Sequence, residues 1–113
     1  MKLRPLLLLL LLGTPGLAGC SGKNLSTPEL YGRHCARCHG ARGEGNPRGL
    51  RLYPHLDLRT SPLVRDGDRA AVRHQIADGE GPMPGFARRL DAQQIERLVD
   101  FTLQLGRTAK EKP

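Results

Sequence analysis

The sequence predicts a small all-α domain: three main helices joined by long loops that wrap around a group the chain does not itself supply. Three observations predict it. Helix-start and helix-stop signals bracket three stretches whose apolar residues recur at helical spacing. Between the first two lies Gly40 to Gly67, rich in Gly, Pro and Arg and without a sustained period. So much structureless chain is out of place in a small domain unless it folds over something. Aromatic residues are only 4% of the 113, which is thin for a core of this size. Hydrophobic residues at 38% and charged residues at 26% exclude wholesale disorder, and the length excludes a multi-domain enzyme.

The elements follow in order. Residues 1–19 read as an export signal: Lys2 and Arg4 form a positive start, Leu6 to Leu12 is unbroken leucine, and the run is too short for a permanent membrane span. It ends in Leu17-Ala18-Gly19-Cys20, which resembles the bacterial lipobox. That resemblance implies cleavage before Cys20 and a lipid on its thiol, with the acyl chains giving a stable anchor. Residues 20–25 are then a short tether, 26–107 the folded domain and 108–113 a tail. Loss of residues 1–19 lowers the net charge from +7 to +5.

The first helix opens at Ser26-Thr27-Pro28-Glu29, where Ser26 and Glu29 have capping-box spacing and Thr27 before Pro28 is an equally good cap. It is expected to run to about Cys38, with Tyr31, Cys35 and Cys38 on one face. The second opens at Asp68 and closes at Gly79, with Val72 and Ile76 one turn apart. The third opens at Asp91, with Gln94 in the capping-box position, and is expected to close at Gly106. Ile95, Leu98, Val99, Thr102 and Leu105 form its predicted buried stripe, flanked by Phe101.

Cys35-Ala36-Arg37-Cys38-His39 accounts for the shortage of core. Cys-x-x-Cys-His is the signature of c-type haem attachment. Thiols one helical turn apart can reach both vinyl groups on one side of a porphyrin, and the next residue brings an imidazole under the iron. A thioredoxin-type redox pair needs a βαβ setting, which the helical pattern lacks. A zinc site needs a second ligand pair, and none is suitably spaced. One covalent haem c also supplies the missing apolar bulk.

From residue 26 to residue 106 the chain resembles the class I monohaem cytochrome c family. The matching pieces are Leu30-Tyr31, Cys35-Ala36-Arg37-Cys38-His39-Gly40, Gly43-Glu44-Gly45, Pro54-His55-Leu56, Ile76-Ala77-Asp78-Gly79, Gly81-Pro82-Met83-Pro84-Gly85-Phe86 and Leu90-Asp91. Their order is the family's. The resemblance implies thioethers from Cys35 and Cys38, His39 as proximal ligand, and the Pro54 carbonyl as acceptor of the other His39 ring N–H. It also implies that the first and last helices pack crosswise, with Tyr31 and Phe101 as contact residues.

Met83 is the expected sixth ligand. It lies 44 residues beyond His39, far enough to reach the opposite haem face. Pro82 and Pro84 restrict its backbone, so the loop loses little entropy on ordering and can hold a weak thioether ligand. The alternatives are a core-filling methionine, or ligation by His34, His55 or His74. His34 is beside Cys35, His55 follows the proximal Pro54, and His74 is mid-helix among polar residues. His/Met ligation favours Fe(II) and closes both axial positions, which suits electron transfer rather than catalysis.

The expected protein is therefore not an enzyme but a lipid-anchored carrier, exported and periplasmic, passing electrons between membrane-bound donor and acceptor proteins. With Ser21 after Cys20, the lipoprotein resemblance implies the outer membrane in a Gram-negative cell. The alternatives are a haem subunit of a larger dehydrogenase or oxidase, and a peroxidase-like enzyme with a displaceable sixth ligand. Two ionised haem propionates bring the charge to about +3, and arginines around the haem edge would steer acidic partners. Nucleic acid is not an expected partner, since no basic helix carries base-reading side chains.

Overall fold

The computed structural model describes residues 24–111. The expected signal, Cys20, most of the tether and the last two residues of the tail lie outside them. Six helices are assigned among the described residues: α1 Thr27–His34, α2 Ala36–His39, α3 Pro47–Leu50, α4 Pro62–Arg65, α5 Arg69–Asp78 and α6 Ala92–Glu111. A 3-10 turn covers Pro54–Leu56, and β1 Gly79–Glu80 pairs antiparallel with β2 Met83–Pro84. The all-α class holds. Three long helices form the frame, and the expected loop from residue 40 to 67 holds single turns.

Local chemistry sets the helix starts. Ser26, not Thr27, caps α1; its backbone N–H donates to Glu29 Oε2 at 2.8 Å. Asp68 caps α5 by accepting from the Ala71 amide at 3.0 Å. Before α6, Asp91 and Gln94 bond each other's backbone amides reciprocally, at 2.8 and 3.0 Å. Buried apolar residues of α1 (Leu30, Tyr31), α5 (Val72, Ile76) and α6 (Leu98, Val99) make the core, with Phe86 and Leu90 from the loop before α6. Tyr31 and Phe101 meet as expected, with ring centroids 4.9 Å apart at a tilt of 52°.

Three expectations need correction. The first helix does not run to Cys38: Cys35 leaves helical geometry at φ −120°, and α2 restarts at Ala36. A one-residue interruption leaves the apolar spacing unchanged, so periodicity does not register it. In α6, Leu103 joins the buried stripe and Leu105 is only half-buried. Finally, α6 does not stop at Gly106 but continues to Glu111, so most of the expected tail is helix. Gly106 is a close-approach residue rather than a cap. A Cβ there would stand 2.5 Å from Val64 Cγ1, so its bare backbone is what lets α4 pack on α6.

Gly106→Ala is therefore expected to destabilise the folded protein. Overpacking against a stiff β-branched side chain costs about 1–3 kcal/mol, against a helix-propensity gain of about 1 kcal/mol. Thermal melts should show a lower Tm, recovered in part by adding Val64→Ala. An unchanged or higher Tm would remove the close-approach role.

Charged side chains join α5 to α6. Arg69 donates to Glu96 at 2.8 Å and to Asp100 at 2.5 Å, and Arg73 also bonds Glu96. The Arg73 hydrogen bond is the largest influence on the Glu96 carboxyl; with Arg69 it overcomes desolvation and brings the carboxyl from 4.5 down to about 2. A lowered carboxylate pKa contributes stability above the unfolded value, and that stability is lost as pH falls from about 4.5 toward 2. The slope of Tm against pH in that window should flatten in Glu96→Gln. An equal slope in both proteins would show that the pair contributes nothing measurable.

Candidate functional site

His39 ends α2, and three hydrogen bonds fix its surroundings. Its Nδ1 lies 2.9 Å from the Leu56 carbonyl oxygen. A carbonyl only accepts, so Nδ1 carries the proton and Nε2 is the free basic nitrogen. The His39 carbonyl accepts from the Gly45 amide at 2.7 Å, and the Tyr31 hydroxyl donates to the Gly40 carbonyl at 2.8 Å. Burial raises the Tyr31 phenol well above its ordinary value, so it stays a donor.

The orienting carbonyl corrects the sequence expectation. Pro54 was the expected partner of His39, but the Pro54 oxygen accepts from the Asp57 amide at 3.3 Å inside its own 3-10 turn. That turn presents Leu56 to His39 instead. Pro54 itself still lines the cavity beside His39.

Cys35 is half-buried and lines the same cavity. Burial, with a smaller effect from Cys38, pushes its thiol up to about 11, so before any attachment it is a protonated thiol. Cys38 is exposed, one turn further on, and is not among the cavity-lining residues. The two are free cysteines, and among the described residues no group of three or more Cys, His, Asp or Glu is placed to hold a metal ion. The zinc alternative therefore gains no ligand set.

Met83 reaches the cavity from the other side of the sequence. It opens β2 and pairs with Glu80 across the turn at Gly81-Pro82. The hairpin is fastened to the end of α5 by the Phe86 and Ala87 amides, each donating at 3.0 Å to the Ile76 and Ala77 carbonyls. Gly79, at φ +75°, allows this: a Cβ there would lie 2.4 Å from the Met83 carbonyl oxygen. Gln75 Nε2 donates to Met83 Sδ at 3.7 Å. Sequence reading did not single out Gln75; the available signal was an amide between Val72 and Ile76, on the face of α5 that turns inward.

The cavity measures about 570 Å3 and its walls are mainly apolar, with Leu56, Leu58, Val72 and Ile76 among them. At its rim Leu52 is 76% and Tyr53 48% exposed, apolar surface that a bound disc would cover. An imidazole, a thioether and a thiol therefore share one apolar cavity of cofactor size. Those residues fit a haem. The rival histidines are placed differently. His34 stacks edge-on against Phe86 with centroids 5.6 Å apart, and exposed His74 pairs with Asp78 at 2.7 Å. His55 is exposed and lines the cavity on the stretch that also carries Leu56.

Fold and site together define a c-type cytochrome domain. A family model described as cytochrome C oxidase, cbb3-type, subunit III matches residues 24–101, and the chain belongs to that family. Cytochrome c6 of Gloeothece citriformis is 28% identical over 91 residues, covering 80% of this chain and 76% of that protein. Cytochrome c6 of Rippkaea orientalis is 30% identical over 96 residues, covering 82% and 78%. The cbb3-type cytochrome c oxidase subunit FixP of Azorhizobium caulinodans is 30% identical over 79 residues, which is 69% of this chain but 26% of FixP. The protein is a haem electron-transfer protein, and its cofactor is one covalently attached haem c. Among the described residues no helix is long and apolar enough to cross a membrane.

Proposed function

We propose that the protein is a lipid-anchored electron carrier rather than an enzyme, with Cys35 and Cys38 as haem attachment points and His39 and Met83 as axial ligands. One observation carries this reading: His39 and Met83, 44 residues apart, line a single apolar cavity. When bound, the haem supplies a one-electron Fe(III)/Fe(II) couple. The chain does the rest. Leu56 holds the His39 ring by its proton. Gly79 and the hairpin position Met83, and Gln75 donates to its sulfur. Such second contacts orient ligands and tune them. With His39 and Met83 both holding the iron, little rearrangement would accompany the electron, and the apolar walls of the cavity would exclude water.

Optical spectra of both oxidation states, with and without carbon monoxide, test the ligation. The expected reduced protein is low-spin and does not bind carbon monoxide at neutral pH. Ready binding would mean a displaceable sixth ligand and favour peroxidase-like chemistry.

Membrane attachment is assigned to Cys20, on the strength of Leu17-Ala18-Gly19-Cys20 after a leucine-rich export signal. Two or more acyl chains, at roughly 0.8 kcal/mol per buried methylene, anchor a protein stably. Cys20→Ala is expected to move the protein from the membrane fraction to the soluble fraction. Retention there would mean that a partner or an uncleaved signal holds it. The alternative role, a haem subunit of a larger oxidase, is favoured by the match to the oxidase-subunit family and to part of FixP. Co-purification with a larger complex after gentle solubilisation would select it over a free carrier.

A further inference from the structure

The segment from Asp57 to Arg65 walls two concavities. Leu58 and residues 61–64 line the haem cavity. Asp57, Arg59, Thr60 and Arg65 line a separate groove of about 690 Å3, whose other side is the end of α6 from Leu105 to Lys110. Arg42 completes it. Four cations, Arg42, Arg59, Arg65 and Lys110, thus surround a space whose lining contains one acid, Asp57.

That acid is already engaged. Both Asp57 oxygens accept from the Arg59 guanidinium, at 2.9 and 2.8 Å, and one also accepts from the Arg59 amide at 2.9 Å. Lys110 Nζ donates to the Arg65 carbonyl at 2.7 Å, which fixes the ammonium but neutralises nothing. Glu44 stands nearby, accepting from the Arg42 amide at 2.7 Å; hydrogen bonds from its own backbone and from the Arg42 amide hold its carboxyl low, and the Arg42 and Arg59 charges add to this. Even with Glu44 counted, the groove retains a surplus of positive charge. The contrast is with Arg69 and Arg73, whose charges are met by Glu96 and Asp100.

We infer that this groove binds a phosphate-bearing anion, seated between the Arg42 and Arg65 guanidinium groups and the Lys110 ammonium. Guanidinium forks match the oxygens of phosphate, and more than one uncompensated cation calls for a polyvalent ligand. The volume suits a phosphorylated headgroup or a small phosphate compound better than a monatomic ion. The inference does not depend on the haem ligands and is tested without electron transfer.

The test is calorimetric titration of the haem-loaded protein from residue 20 onward, carrying Cys20→Ala so that no lipid is attached, with inorganic pyrophosphate at low ionic strength. Saturable binding is expected. Arg42→Gln with Arg65→Gln should weaken it at least tenfold, and Lys110→Gln alone about threefold, with the haem spectrum unchanged. Arg48→Gln with Arg51→Gln, exposed arginines outside the groove lining, should change it less than twofold. Flotation with phosphatidylglycerol vesicles against phosphatidylcholine vesicles separates the sources. Groove-dependent binding to the anionic vesicles as well as to pyrophosphate identifies a lipid headgroup, and binding to pyrophosphate alone identifies a soluble phosphate compound. Absence of pyrophosphate binding, or equal loss in the groove and control variants, overturns the site.

Discussion

Met83→Ala is expected to lower the reduction potential by on the order of 100 mV or more, since axial-ligand identity moves haem potentials over about 0.8 V. As a ligand the thioether would be a weak donor favouring Fe(II), and its removal would leave the iron to water or a stronger base. The methionine-to-iron charge-transfer band of the oxidised form should vanish, and carbon monoxide should bind the reduced form. Gln75→Leu should shift the potential in the same direction by less. Its amide hydrogen bond to Met83 Sδ withdraws electron density from the sulfur, and one such bond is worth about 1 kcal/mol, or roughly 40 mV for one electron. Redox titration with optical spectra reads both variants. An unchanged charge-transfer band in Met83→Ala would remove Met83 from the iron.

Loss of both thioethers should be more drastic. Cys35→Ala with Cys38→Ala is expected to yield a chain without covalent haem, and that chain should not hold its fold. The cavity is about 570 Å3. At about 24 cal/mol per Å3 of void this corresponds to ~14 kcal/mol, an upper bound because the cavity opens to solvent. A whole domain is stable by only about 5–15 kcal/mol. Circular dichroism should show most helix lost, and acid–acetone extraction should remove any residual colour. A double variant that keeps covalent haem, or a colourless one with undiminished helix and Tm, would contradict the attachment role.

Much of the proposed site is readable from the sequence because its chemistry is local. Cys35, Cys38 and His39 fall within five consecutive residues, and the restraints on Met83 come from its flanking prolines. The caps at Asp68 and Asp91 were readable for the same reason, since each is settled within about three residues. The orienting carbonyl was not readable. Pro54 and Leu56 are two residues apart, and which one faces His39 depends on how the 3-10 turn between them is wound. Nor were the partners of Arg69 and Arg73, which bond Glu96 and Asp100 on α6.

Gly106 marks the same divide. A glycine at the end of an apolar period has the appearance of a helix stop, and local propensity favours that reading. Its meaning changed once Val64, 42 positions earlier, arrived within a Cβ radius of its backbone. Residues close along the chain suffice to specify the helical class, the Cys-x-x-Cys-His motif and the loop that presents Met83. Tertiary structure alone decided which carbonyl aims His39, which amide reaches the methionine sulfur, where α6 ends and which cations stay uncompensated. Those are contacts between distant segments, and no local preference encodes the distance between them.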